Sequence, residues 1–578
     1  MKSLVDKYRK MILIESYEKH KGALVPEMSA DDFIELEDGT VKYNDIDYSS
    51  TDKARWEPYT HLARLERLLL SGEESVKPLC LKLLGFWLNN DFICPNWWYN
   101  EIGIPMILAD VTVILVDSID KSVRDALLSR IARGIVTPET DLTKRGVYTG
   151  ANLLWLSSNT MLYALLTEDE ELLRFITALA ANETVEAKEG LQSDDTFFQH
   201  GPRLYSAGYG RSFVTSIVPM MHVLDSTEFA FPEYALDNLA RHVLDGLRYM
   251  MHRGYYDYVA VGREYVRHNA LSARGLLRSA KILLSLDGFK RKDELATLIK
   301  SIENAEPAFE GVRYFPVSAL LTMSLGGVYF SYKGVTPEIY DAEIINDENR
   351  LGYNLSYGTH TTVMQSGKEY ENIAPIWDYS KIPGTTAPYM TDSELLAVPD
   401  FSKRAIKTSD YGGWCEGNIG AIYMTTIHEG ISVTVSAFAT PYGLVVLGNS
   451  INDEAERELT TTVEQCHALF TVSEDGGEIF NGSVKYRSLD EKAPLVYSVG
   501  KSVGNWNRNR PSEPDRAAEG KVLTVTVKAE KNYNKYAYVI APASANLDGL
   551  SVLKNEKLEQ KIILPDGRTL SARKNEDI

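Results

Sequence analysis

Residues Ile419-Gly-Ala-Ile-Tyr-Met-Thr-Thr-Ile427 and Ile431-Ser-Val-Thr-Val-Ser-Ala-Phe438 decide the fold class of half the chain. Both alternate with period two and are rich in β-branched and aromatic side chains, which marks strands rather than helices. The pattern reaches back to Val328-Tyr-Phe-Ser-Tyr332. It runs forward through Leu444–Leu447, Ala468–Val472, Leu495–Val499, Lys521–Lys528, Tyr536–Ile540 and Gln560–Leu564, with Asp566-Gly567 as a tight-turn signal. So many strands predict stacked antiparallel sheets. Residues 340 to 410, rich in Asn, Asp, Tyr and Pro, predict long loops.

Before about residue 312 the period changes. Apolar residues recur at helical spacing, as in Leu62, Leu65, Leu68 and Leu69, then Leu79, Leu83, Phe86 and Trp87. Further helices are expected to begin near Pro105, Ser122, Asn152, Glu170, Arg211, Pro232, Asn269 and Asp293. No repeat of roughly 34 or 40 residues accompanies them, so a closed or nearly closed ring of helical hairpins is expected rather than a solenoid. The chain therefore reads as multidomain α+β, with a helical domain over 1–307 and a β domain over 308–578. Its length agrees, because a single core stops growing at about 250 to 300 residues.

A net charge of −19 argues against nucleic acid as partner and leaves room for a basic cleft inside an acidic shell. Thirty-three Tyr and eight Trp offer many amphipathic rings of the kind that line ligand clefts. Cys80, Cys94, Cys415 and Cys466 lack zinc or redox spacing, and no metal or cofactor is expected. No apolar run approaches the roughly 18 residues of a membrane span. The opening residues carry charges every few positions, so a cytoplasmic location is expected, or a secreted or periplasmic one if a signal has been removed. A monomer is expected.

The stretch Asp194-Asp-Thr-Phe-Phe-Gln-His-Gly-Pro-Arg-Leu-Tyr-Ser-Ala-Gly-Tyr-Gly-Arg-Ser212 is the candidate site. His200, Arg203, Tyr205, Tyr209 and Arg211 crowd a turn that Gly201-Pro202 and Gly208-x-Gly210 keep out of a helix. A histidine, a phenol and guanidinium groups suggest proton transfer on an anionic substrate. Asn96-Trp-Trp-Tyr-Asn-Glu-Ile-Gly-Ile-Pro105 ends one helix and, through Pro105, starts the next, with at least one of three adjacent rings left exposed for stacking on a sugar. Asn152, in Thr149-Gly-Ala-Asn152, reads as a helix N-cap or as an amide that bonds a substrate carboxylate. Arg263 and Arg267 share one face if their segment is helical, with Glu264 and Asp257 as possible pairing partners.

In this order the motifs resemble polysaccharide lyase family 8, the family of hyaluronate, chondroitin AC and xanthan lyases. The resemblance extends to Asn346-Asp-Glu348-Asn, Tyr357-Gly358 and Trp377-Asp-Tyr-Ser-Lys-Ile-Pro-Gly-Thr-Thr386, and covers about residues 60 to 545. It implies an incomplete (α/α) toroid followed by an antiparallel β-sandwich, and a metal-independent carbon–oxygen lyase acting on an anionic polysaccharide. It maps the family's catalytic groups onto Asn152, His200, Tyr209, Arg263, Arg267 and Glu348. Its aromatic patch and neighbouring amide map onto Trp97, Trp98 and Asn96, while Arg203 and Arg211 are expected to help bind substrate. After Thr-Gly-Ala-Asn the family continues with a polar stretch, whereas Leu153-Leu154-Trp155 follows here.

Elimination at a uronate needs the carboxylate masked, the C5 proton removed and the O4 leaving group protonated. Tyr209 is the candidate for both proton transfers, and a neighbouring arginine is expected to lower its pKa. Two alternatives stand beside this: a glycoside hydrolase using two carboxylates among Glu101, Asp194, Asp195 and Glu348, or a non-catalytic carbohydrate-binding protein using the Trp patch.

Overall fold

The computed structural model describes residues 1–20, 29–143, 148–340 and 342–573. Packing divides the chain into two units that do not follow one another along it. The first comprises 1–185, 212–239 and 278–290, and the second 186–211, 240–277 and 291 onward. Three stretches that precede residue 307, namely 186–211, 240–277 and the start of the third from 291, thus pack with the β half.

The first unit is helical. Ile104–Leu115 is its buried centre: ten of its twelve residues are buried, and Pro105 sits in the first turn, where its missing N–H costs nothing. Lys2–His20, Glu57–Leu69, Lys121–Ile131 and Gly150–Thr167 pack against it, and Gly150–Thr167 also packs against Glu170–Asn182. Asp120 and Asp169 start two of these helices by accepting from the backbone N–H groups of Val123 and Leu172, which satisfies donors the helix cannot.

The second unit is built on antiparallel sheets. Four strands run in the order His360–Met364, Val328–Lys333, Leu320–Leu325, Gly311–Phe315. Every residue of Val328–Lys333 is buried, so this strand lacks the polar face of a surface strand. An eight-stranded sheet carries Lys407–Glu416, Ile419–His428, Ile431–Thr440 and Gly443–Asp453 side by side, then Tyr536–Pro542, Val484–Ser488, Glu478–Asn481 and Val472–Asp475. It packs on the four-stranded sheet, and its Phe438, Leu447 and Val539 share a core with Ile562 and Leu570 of a three-stranded sheet. The other four-stranded sheet joins Thr386–Pro388, Leu459–His467, Ala517–Val527 and Leu495–Asn505.

A helical half followed by antiparallel sheets is the class read from the sequence. Some local expectations fail for physical reasons. The helix expected near Asn269 begins only at Leu277, because Asn269 sits at φ 57, a left-handed conformation no helix can continue. No strand spans 468–471: one ends at His467 and the next begins at Val472, and Leu469 and Phe470 between them are exposed. The long connection 340 to 410 is mostly irregular among its described residues, yet it buries Trp377, Tyr379 and Ile382, so it behaves as core.

Candidate active site

In the second unit, the hairpin of Gly190–Leu191 with Phe197–Phe198 and a bridge between Phe198 and Leu204 pinch residues 199–203 into a turn. At its tip His200 is left-handed, φ 58, a strained conformation for histidine. Gly201 follows at φ 86, where a Cβ would stand 2.5 Å from the Tyr340 ring. Tyr209 is the first residue of the helix Tyr209–Leu224, so Gly210 lies inside a helix rather than breaking one. The His200 and Tyr209 rings are 4.9 Å apart between centroids.

Glu343 is the hub of this cluster. Its Oε1 accepts from His200 Nδ1 at 2.9 Å, Ser402 Oγ at 3.0 Å and Arg203 Nη1 at 3.4 Å. Its Oε2 accepts from Tyr205 Oη at 2.7 Å and from Arg263 Nη1. Arg263 Nη1 also lies 3.1 Å from His200 Nδ1. One ring nitrogen cannot both donate to a carboxylate and accept from a guanidinium, so the carboxylate is its partner and the Nδ1–H tautomer is set. Burial alone would raise the Glu343 pKa, but Arg263, His200 and Arg203 outweigh it and hold the carboxyl well below its usual range.

A second carboxylate, Glu348, gathers three arginines. It accepts from Arg263 Nε at 2.9 Å, from Arg267 Nε at 2.7 Å and Nη2 at 2.9 Å, and pairs with Arg510 Nε at 3.2 Å. Against the effect of burial, Arg267 and Arg263 bring its pKa down to about 2. The arginines meet through this acid and not through a helical face. Gly262–Val266 is a short 3-10 turn, and Arg267 has left it for extended backbone. Glu264 pairs with Arg267 as expected, at 2.9 Å. Asp257 does not pair with an arginine, because hydroxyls of Tyr329, Ser331 and Thr362 occupy it.

Tyr209 Oη lies 3.5 Å from Arg263 Nη2. Burial raises its pKa; Arg263 and Arg267 act to lower it, as expected, but offset only part, so the net shift is upward. Arg203 is buried, donating to the backbone oxygens of His200 and Ser402 as well as to Glu343, so its charge is engaged within the protein. Arg211 is half-buried and makes no hydrogen bond or ion pair among the described residues.

Asn152, Asn96, Trp97 and Trp98 belong to the first unit. Asn152 is no N-cap: the helix Gly150–Thr167 starts two residues earlier, and Thr149 holds the cap position. Asn152 is 4% exposed, and its amide makes no hydrogen bond with another described residue, which leaves it available to a ligand. Residues 99–103 form a π-helical stretch running into Ile104–Leu115, so the motif enters a helix but ends none, the preceding one having stopped at Asn90. Trp98 packs edge-on against Tyr59, Tyr99 and Trp155, whereas Trp97 meets only the edge of Tyr148 at 6.5 Å among the ring contacts described. Both indoles are half-buried and Tyr99 is buried, so none of the three rings is fully exposed. The Asn96 amide donates to the Lys53 oxygen and accepts from the Trp98 N–H, which leaves it engaged in its own loop.

The structure thus joins His200, Tyr205, Tyr209, Arg263, Arg267 and Glu348 in one cluster, and adds Glu343, Asn349, Ser402 and Arg510, to which the sequence reading assigned no role. Asn349 accepts from the buried Tyr265 hydroxyl at 2.6 Å and donates to the Glu343 carbonyl oxygen at 3.0 Å, bracing the loop that carries both acids. The four carboxylates of the hydrolase alternative have partners within the protein, Glu101 accepting from the Tyr148 hydroxyl at 2.7 Å. Glu348 is clamped, Asp195 pairs with Arg241 and Arg313, and Asp194 accepts from the backbone N–H groups of Thr196, Val317 and Ser318. Among the described residues, no group of three or more His, Cys, Asp or Glu is arranged to hold a metal ion, and no helix is long and apolar enough to cross a membrane.

Comparison with known proteins identifies the family and the fold. Residues 80–304 match the model of the polysaccharide lyase family 8 N-terminal α-helical domain, and residues 310–549 that of the family 8 super-sandwich domain. Chondroitinase-AC of Pedobacter heparinus is 26% identical over 544 residues, spanning 87% of this chain and 75% of the relative. Hyaluronate lyase of Staphylococcus aureus is 23% identical over 556 residues, spanning 84% of this chain and 67% of the relative. A solved chondroitinase AC lyase shares the fold with a TM-score of 0.82 at 23% identity, over 97% of this chain and 88% of that one.

Proposed function

The chain belongs to polysaccharide lyase family 8, and from that premise we propose that it cleaves chondroitin or hyaluronan by β-elimination at the uronate, leaving a 4,5-unsaturated sugar. It is a polysaccharide lyase, and its curated relatives include a chondroitinase-AC and a hyaluronate lyase. The observation that carries the reading is the Tyr209 hydroxyl, 3.5 Å from the Arg263 guanidinium and beside the His200 ring.

In this reading Tyr209 works as phenolate, takes the C5 proton as the C4–C5 double bond forms, and returns that proton to O4 as the C4–O4 bond breaks. The phenolate is regenerated, so the step balances without a further proton donor. With an unperturbed pKa of about 10, roughly one phenol in a thousand is ionised at pH 7. Burial makes the fraction smaller, and Arg263 resists that change. Arg263 and Arg267, oriented by Glu348, supply positive charge to the developing carbanion. The His200 Nδ1–H is committed to Glu343, so any bond from His200 to the uronate runs through Nε2. Asn152 donates to the substrate carboxylate, and Asn96, Trp97 and Trp98 bind sugar, in the roles the family resemblance assigns them. Arg211 adds a cation for the anionic chain.

The test is an absorbance assay for the unsaturated uronate with chondroitin, hyaluronan, heparosan, xanthan and glucuronan. The expected result is absorbing product from chondroitin or hyaluronan. Reducing ends released without absorbance would replace elimination by hydrolysis, and product from xanthan or glucuronan alone would remove the glycosaminoglycan assignment.

A further inference from the structure

The strand Val328–Lys333 ends on a charge that the reaction does not use. Lys333 is 8% exposed; its ammonium donates to the Gly334 carbonyl oxygen and forms no ion pair among the described residues. It lines a cavity of about 90 Å³ together with His360, Arg203, Arg263 and Glu343. His360 is its cross-strand partner. Burial and the Lys333 charge lower the His360 pKa to about 4, and its Nε2 meets the Leu355 carbonyl oxygen at 2.8 Å, so it lines the space as a neutral ring. The positive charge comes from Lys333, Arg203 and Arg263.

Basic groups outnumber acids around this space. Both oxygens of Glu343 are already taken by His200, Tyr205, Arg203, Arg263 and Ser402. Asp194 is the carboxylate whose charge acts on Lys333, but it is turned to Thr196, Val317 and Ser318. A buried ammonium without a counter-ion is costly, and the protein resolves it by releasing the proton or by admitting an anion. Arg203 and Arg263 on the same cavity favour the second course, since several fixed positive charges in a low-dielectric space raise the local concentration of anions. Val335, Ile339 and Ile406 in the lining offer no hydrogen bonds, which disfavours a strongly hydrated dianion and suits a weakly hydrated halide.

We propose that the cavity lined by Lys333, His360, Arg203 and Arg263 binds a small monovalent inorganic anion of chloride's kind. Burial draws the Lys333 ammonium down to about 7, with Asp194 opposing, and an anion beside it would restore the charge. Arg263 and Glu343 belong both to this cavity and to the cluster at Tyr209, whose arginines already have carboxylate partners, so the occupant is a counter-ion for Lys333 at the edge of that cluster.

The test uses the full chain. Crystals prepared in sodium bromide and measured at the bromine absorption edge should show an anomalous peak within reach of Lys333 Nζ. In solution, Tm at constant ionic strength should rise saturably when sodium gluconate is exchanged for sodium chloride or bromide, because a ligand that binds only the folded chain stabilises it. That rise should vanish in Lys333→Met. A cavity holding water alone in the bromide data, or equal Tm in gluconate and halide, overturns the proposal. If Lys333→Met does not fold, the bromide map and the salt series on the unmodified chain still decide it.

Discussion

Two regions of the molecule carry its polar chemistry, and they are held by opposite means. Around Glu343 and Glu348 the side chains are fixed by charge: two buried carboxylates orient four arginines, a histidine and a phenol. Around Trp97, Trp98 and Asn152, in the helical unit, they are fixed by ring edges, backbone bonds and the walls of a helix. The first kind of site fails abruptly, because each ion removed strands its partners in a medium that cannot solvate them. The second yields gradually, because one ring is worth only about 0.5–1.5 kcal/mol beyond its area.

The sharpest test of this contrast is Tyr209→Phe, which removes one oxygen from the charged region. It should lower kcat roughly 100- to 10,000-fold with substrate binding largely kept, and more than about a tenth of kcat retained would remove Tyr209 from proton transfer. In the unmodified protein, kcat should climb with pH, since the rare phenolate is the working form. Glu343→Gln keeps shape and loses charge, leaving Arg263 and Arg203 short of a partner at a cost of about 3–5 kcal/mol, visible as a large drop in Tm. By contrast Asn152→Ala, in the other region, should leave Tm nearly unchanged while activity falls. Equal Tm losses for the two variants would dissolve the comparison.

Acid should find the charged region first. The folded pKa of Glu348, about 2, lies below the unfolded value of about 4.3, so its contribution is complete above about 4.3 and is lost as pH falls toward 2. That single group accounts for about 3 kcal/mol, and a melt whose Tm stays flat from pH 5 to pH 2.5 would contradict it. The smallest effect is expected at the rings. Trp97→Ala should raise KM about 2- to 12-fold with kcat kept, whereas Trp98→Ala should also lower Tm, because Trp98 wedges against Tyr59 and Trp155. Unchanged KM in both would assign the rings to packing alone.

Much of this was legible before any coordinates. Period-two runs such as Ile431–Phe438 and the proline at 105 announced a strand and a helix start that the structure contains. The order of motifs pointed to the family, and His200, Tyr209, Arg263, Arg267 and Glu348 do converge. What stayed hidden follows from distance and burial. Glu343 has no periodic pattern around it, and its partner Arg263 is 80 positions away, so only folding reveals it as the hub. The net upward shift of the Tyr209 pKa was hidden because a sequence shows the neighbouring arginines but not how much water the fold removes. Of the two readings the sequence allows for Asn152, the cap fails because the helix begins on Gly150, with Thr149 at the cap.

The interleaving of the two units along the chain has a consequence for biosynthesis. Segments 186–211 and 240–277 leave the ribosome well before the strands they pack with, and Arg263 precedes Glu343 and Glu348 by 80 and 85 residues. At about 5–20 residues per second, that guanidinium waits roughly 4 to 16 seconds for its carboxylates. During the wait the helical unit gains its last segment, 278–290, but the second unit cannot close because it lacks nearly all of its strands. The nascent chain therefore carries an unneutralised basic segment, exposed to any polyanion at hand, until translation has passed the second acid.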